Sequence, residues 1–125
     1  MPKYVSLFAY TGEAWSRMVA NPSDRTEAAR KLIDEMGGTM ESFYWMLGEH
    51  DGMVIYEAPD AATVAAIVGG VHASKLIAHI ETHQLVGPQD ASAALALAAS
   101  ARAAYRPPGD TWRPEYDALG AATTN

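Results

Sequence analysis

Apolar positions in this chain change period at regular intervals, and each change marks an element. Residues 3–10 alternate apolar and polar and carry aromatic and β-branched side chains, which predicts a first strand stopped by Thr11-Gly12. Trp15, Met18 and Val19 then fall on one helical face. Asn21-Pro22 interrupts it, and Asp24 with Glu27 resembles a capping box that restarts the helix. Ala28, Ala29, Leu32, Ile33 and Met36 continue the apolar stripe up to Gly37-Gly38, a left-handed stop. Strands follow at 39–47 and 52–58, joined by a tight turn at 48–51 and closed by Pro59. Asp60 caps a helix with apolar Ala61, Val64, Ala65, Val68 and Val71, and residues 75–86 read as a fourth strand.

The order βαββαβ is the ferredoxin-like α+β plan. Right-handed crossovers put both helices on one face of a four-stranded antiparallel sheet. The second strand shows why this is incomplete in one copy. Simple alternation puts Phe43, Trp45 and Leu47 on one side and Met40, Tyr44 and Met46 on the other, so both sides are apolar. Helices cover one row, and a second sheet is the natural cover for the other. We therefore expect a homodimer packed sheet against sheet, with further assembly open to it.

Beyond Val86 the composition shifts. Gly87-Pro88 is a break, residues 89–105 are Ala-rich and helical by propensity, and the prolines of 106–116 exclude a helix, leaving an extended arm with Trp112 and Tyr116 as aromatic anchors or, equally, a mobile tail. The expected division is a ferredoxin-like domain at 1–87 and a helix with an extended tail at 88–125.

Composition narrows the function classes. A chain of 125 residues, 49% hydrophobic and 19% charged, supports one substantial core. It has no cysteine, hence no disulfide framework and no Cys-ligated metal, which suits a reducing cytoplasm. The opening residues enter a strand at once, leaving no signal-peptide pattern, and no apolar run reaches the roughly 20 residues of a membrane span. A formal charge of -6 with no basic stripe argues against nucleic acid and anionic lipid as partners.

Several short motifs occur in a fixed order: Lys3-Tyr4-Val5, Tyr10-Thr11, the Gly37-Gly38 stop, Glu41-Ser42-Phe43-Tyr44, Gly48-Glu49-His50-Asp51 and Glu57-Ala58-Pro59-Asp60. Together they resemble the bacterial GYD-domain family over residues 3–86. That resemblance implies the dimeric α+β barrel, the same sheet-to-sheet pairing that patterning suggests. His50 stands where the family's turn carries its Tyr. The wider superfamily includes cofactor-free monooxygenases, isomerases, lactonizing enzymes and haem-binding proteins, a diversity that carries no single mechanism across.

The polar residues offer three candidate groups. His79, Glu81 and His83 alternate on the fourth strand and so share a face at spacings of about 6.6 Å. A neighbouring pair could hold Zn, Fe or Mn or form a proton relay; equally, the row could be the polar guard of an edge strand. His50-Asp51 could be a turn device or could frame a pocket mouth with His50 as base. His72, at a helix end, reads as structural. Among the aromatic residues, Tyr4, Tyr10, Tyr44, Tyr56, Trp15 and Trp45 are candidates for contacting an aromatic ligand, against the alternative that they simply pack.

Three functional readings follow. The first is a small-molecule binder or enzyme with its pocket between sheet and helices, for which the superfamily resemblance, and not these residues, implies cofactor-free oxidation or isomerisation. There His83, Glu81, Tyr44 and His50 would be catalytic and His79, Tyr10, Tyr56 and Trp15 would bind the ligand. The second is a non-catalytic assembly module whose C-terminal arm docks on a neighbouring subunit or on another protein. The third is a metal site drawn from His79, Glu81 and His83.

Overall fold

A computed structural model describes residues 1–109. By backbone contacts the described residues divide after Val86, into a first unit Met1–Val86 and a second that begins at Gly87. The first contains strand β1 (Lys3–Tyr10), helices α1 (Gly12–Ala20) and α2 (Arg25–Glu35), strands β2 (Thr39–Trp45) and β3 (Gly52–Glu57), helix α3 (Ala61–Ala73) and strand β4 (Ile77–Leu85). All strand pairs are antiparallel, in the order β2-β3-β1-β4, giving the α+β ferredoxin-like sheet expected from the sequence.

Each of these three helices begins where a side chain satisfies a free backbone donor. Thr11 Oγ1 accepts from the Ala14 N–H, Asp24 from Thr26, and Asp60 from both the N–H and the hydroxyl of Thr63. These two hydrogen bonds hold the Asp60 carboxyl below its ordinary range. Helix α2 ends in a paired cap: the Gly37 N–H donates to Asp34 O and the Gly38 N–H to Ile33 O, with Gly37 at φ +82°. Gly38 is required for a second reason, since a Cβ there would collide with the Glu57 carbonyl oxygen.

The pleat sorts the sheet into two faces. Tyr4 and Phe8 of β1 and Val54 and Tyr56 of β3 are buried against Ile33 of α2 and Val64 and Ile67 of α3. Registers Tyr4↔Tyr56, Ser6↔Val54 and Phe8↔Gly52 keep them on one side. Gly52 is a glycine because the Phe8 ring lies across it; a Cβ would fall 2.7 Å from ring atom Cε2. At the centre, Ser6 is buried and bonds both Tyr56 OH at 3.0 Å and Thr82 Oγ1 at 2.8 Å.

Two local expectations need correction. In β2 the pairing moves from Met40↔Tyr56 to Ser42↔Ile55, leaving Glu41 as a bulge. The extra residue resets the alternation, so Met40 joins Phe43 and Trp45 toward the helices instead of sharing a side with Tyr44. Leu47 lies beyond the strand, fully exposed. In β4 the strand begins at Ile77 and not at residue 75, because Lys75 adopts φ 64° and its N–H donates to His72 O, closing α3.

The second unit contains helix α4 (Pro88–Ala104), with Pro88 in its first turn and no buried residue. Trp112 and Tyr116 of the predicted arm lie outside the described residues.

Candidate functional site

The face of the sheet turned away from the three helices of its unit carries Val5 and Leu7 of β1, Met53 and Ile55 of β3, and Ser42 and Tyr44 of β2. The four aliphatic and thioether side chains are half-buried, and Tyr44 is 58% exposed. The flanking strand β4 adds His79 opposite Ala9, Glu81 opposite Leu7 and His83 opposite Val5. The face is thus an apolar centre with a His-Glu-His row along one edge.

Asp51 brings a fourth polar residue to this row. Its backbone N–H donates to Phe8 O at 2.7 Å, and its carbonyl accepts from the Met46 N–H at 2.8 Å. Its carboxylate accepts from the Tyr10 N–H at 2.8 Å and from Trp15 Nε1 at 3.3 Å. Asp51 therefore fastens the β2–β3 turn to β1 and α1. The turn so held places the His50 ring 5.6 Å from that of His79.

His50, His79 and Glu81 each bring one potential ligand atom within 4.8 Å of the others. His50 Nε2 is buried and has no hydrogen-bond partner among the described residues. Glu81 divides its two oxygens: Oε2 accepts from His83 Nε2 at 2.7 Å, while Oε1 lies 4.0 Å from His79 Nε2. The His83 hydrogen bond, first, and the surrounding imidazoles, second, hold the Glu81 carboxyl below its ordinary value against a partial desolvation that pushes it up. The His83 hydrogen bond orients the carboxylate and leaves Oε1 as an acceptor for a hydrogen bond or a cation.

The sequence candidates separate into three places. His79, Glu81, His83, His50 and Tyr44 belong to the open face or its edge. Tyr10 and Trp15 lie on the helix side, where their rings stand 6.0 Å apart and both meet Trp45 at 5.8 Å. Trp15 and Trp45 remain 41% and 51% exposed. Tyr56 is 1% exposed in the core, stacked on Tyr4 with ring centroids 5.9 Å apart. Burial pushes its hydroxyl pKa upward despite the hydrogen bonds to Ser6 and Thr82.

A cavity of about 130 Å³ lies between sheet and helices, with Ser6, Tyr10 and Tyr56 beside apolar side chains and Arg25 in its wall. His83, Glu81, His79, His50 and Tyr44 do not line it. The alternation of β4 indicated that its His and Glu share a face; only the register shows that this face points away from the helices. Asp51 as a fastening residue, and the meeting of His50 with His79, had no local signal, because both depend on contacts with distant β1 and β4.

Residues 4–95 match the GYD domain over most of the chain. The protein belongs to the GYD domain family. A relative of this GYD protein in Thermus thermophilus is 34% identical over 65 residues, covering 52% of this chain and 68% of the relative. That relative is named glutamine synthetase and cystathionine beta-lyase binding protein. No described helix of the GYD protein is long and apolar enough to cross a membrane.

Proposed function

We propose that this GYD protein is a non-catalytic protein-binding module that pairs with itself through the open sheet face and engages a metabolic enzyme as a dimer. The observation that carries this reading is the half-buried apolar centre formed by Val5, Leu7, Met53 and Ile55 with Tyr44, on the sheet face turned away from the helices of its own unit. An apolar sheet face bordered by charge is the usual composition of an association surface. A second copy presents the same row, so two faces are self-complementary about a two-fold axis. The partner class is drawn from the relative, whose name describes binding to glutamine synthetase and cystathionine beta-lyase. The C-terminal arm would supply a further contact, with Trp112 and Tyr116 as anchors.

Sedimentation velocity of the full chain mixed with purified glutamine synthetase or cystathionine beta-lyase from its own source organism tests partner binding. Co-sedimentation at concentrations on the order of 10 μM supports the reading. Independent boundaries with both enzymes contradict it. Removing the residues after Pro108 is expected to weaken capture and leave self-association intact.

A small-molecule reading would rest on the cavity between sheet and helices, where the hydroxyls of Ser6 and Tyr56 meet. Its volume of about 130 Å³ is below the roughly 300–1,000 Å³ usual for ligand pockets. Cofactor-free oxidation or isomerisation there would have to proceed without the imidazoles and Glu81, which lie on the opposite face. Protein binding is for this reason the stronger reading.

A further inference from the structure

We propose that His50, His79 and Glu81 form a zinc-type site for a divalent transition metal ion on the open sheet face, with His83 positioning the carboxylate. The donor set is two imidazoles and one carboxylate from two separate elements, the β2–β3 turn and strand β4. Three such ligands with a fourth position left to water suit Zn²⁺, whose preference for nitrogen and oxygen is borderline and whose coordination is tetrahedral.

Distance and burial support the assignment independently. Ligand atoms around a tetrahedral zinc ion with bonds of about 2.0–2.1 Å stand about 3.3 Å apart. The three atoms here lie within 4.8 Å, and His79 and Glu81 have side chains 60% and 44% exposed, free to rotate inward. His50 Nε2 is a buried nitrogen without a hydrogen-bond partner among the described residues, a costly arrangement that a metal bond would relieve. The division of labour at Glu81 is the third element. Oε2 is taken by His83, which leaves Oε1 on the His79 side. A hydrogen-bonded carboxylate of this kind is how a ligand is oriented by a residue that does not itself touch the metal. The site differs from the His79, Glu81, His83 strand row, since it needs the turn residue His50 and uses His83 only through Glu81. It does not depend on self-association or on any enzyme partner.

The test is calorimetric titration of tag-free, metal-stripped full-length protein with zinc chloride, with circular dichroism to show that each variant is folded. The expected result is saturable binding of one zinc per chain. His50→Gln and His79→Gln should each weaken it more than about 100-fold, beyond the 10- to 100-fold that loss of an outer residue produces. His83→Ala should weaken it by about tenfold, and His83→Gln, which keeps an N–H donor for Glu81, should restore most of that loss. His72→Gln, on the exposed end of α3, should leave it unchanged. No saturable binding, or binding indifferent to His50→Gln, would overturn the proposal. Should a His50 variant fail to fold, His79→Gln together with the His83→Ala and His83→Gln pair decides the matter: an unchanged affinity in all three is also refutation.

Discussion

The Asp51 carboxylate accepts the backbone N–H of Tyr10 at 2.8 Å, joining the β2–β3 turn to the end of β1. The same oxygen accepts from Trp15 Nε1 at 3.3 Å, so one side chain holds turn, strand and helix together. Hydrogen bonds to a charged acceptor contribute about 1.5–3 kcal/mol each, less where solvent reaches them. Asp51→Ala is expected to lower unfolding free energy by about 2 kcal/mol, measured by urea denaturation. Because the turn carries His50, the variant should also weaken zinc binding. An Asp51→Ala protein as stable as the parent would mean that the turn is held by other contacts.

The core hydroxyl pair gives a prediction in alkali. Burial raises the Tyr56 pKa above the 10.0 of an ordinary tyrosine. Below pH 10 the folded and unfolded chains are both protonated there and stability is full. As pH rises past the unfolded value, the unfolded chain releases this proton while the native chain retains it, so stability is lost on the way up through the raised native pKa. Tyr56→Phe should remove that part of the alkaline loss. At neutral pH it should cost only about 1 kcal/mol, since Ser6 keeps its bond to Thr82 at 2.8 Å. Denaturation midpoints between pH 8 and pH 11 compare the two proteins.

At the sheet edge, the His83 hydrogen bond lowers the Glu81 carboxyl pKa. The principal cause of the lowered Glu81 pKa is the His83 hydrogen bond. His83→Ala should therefore move the Glu81 titration upward toward the ordinary 4.5, which carboxyl NMR would follow directly. A Glu81 that titrates identically in both proteins would show that the 2.7 Å contact is not maintained in solution.

Gly52 tests the packing of the aromatic core. With the Phe8 ring where a Cβ would lie, Gly52→Ala must displace a buried side chain. Overpacking of this kind costs about 1–3 kcal/mol, readable as a drop in thermal midpoint. An unchanged midpoint would mean that Phe8 moves aside freely.

Much of this architecture is legible in the chain because alternation and capping act locally. Asp60, the Gly37-Gly38 stop and the apolar rows of β1 and β3 mark their elements without help from distant residues. The bulge at Glu41 is not marked in this way, for it is set by register against β3, and it moved Met40 to the other face. The site was half visible for a related reason. Period-two spacing groups His79, Glu81 and His83, yet a strand with mixed polarity does not declare which face meets the helices. His50 joins them only because Asp51 bonds across to β1, a relationship spanning about forty positions that no local pattern contains.

Pairing through the open sheet face is the proposal on which the functional reading rests, and the number of chains in the particle is directly measurable. Sedimentation equilibrium of the full chain at micromolar concentration should give about twice the 13.4 kDa of one chain. Ile55→Glu, which sets a charge in the apolar centre of the open face and leaves the buried core untouched, should return the mass to 13.4 kDa with the fold retained. A parent protein that sediments at 13.4 kDa would contradict pairing through the sheet face.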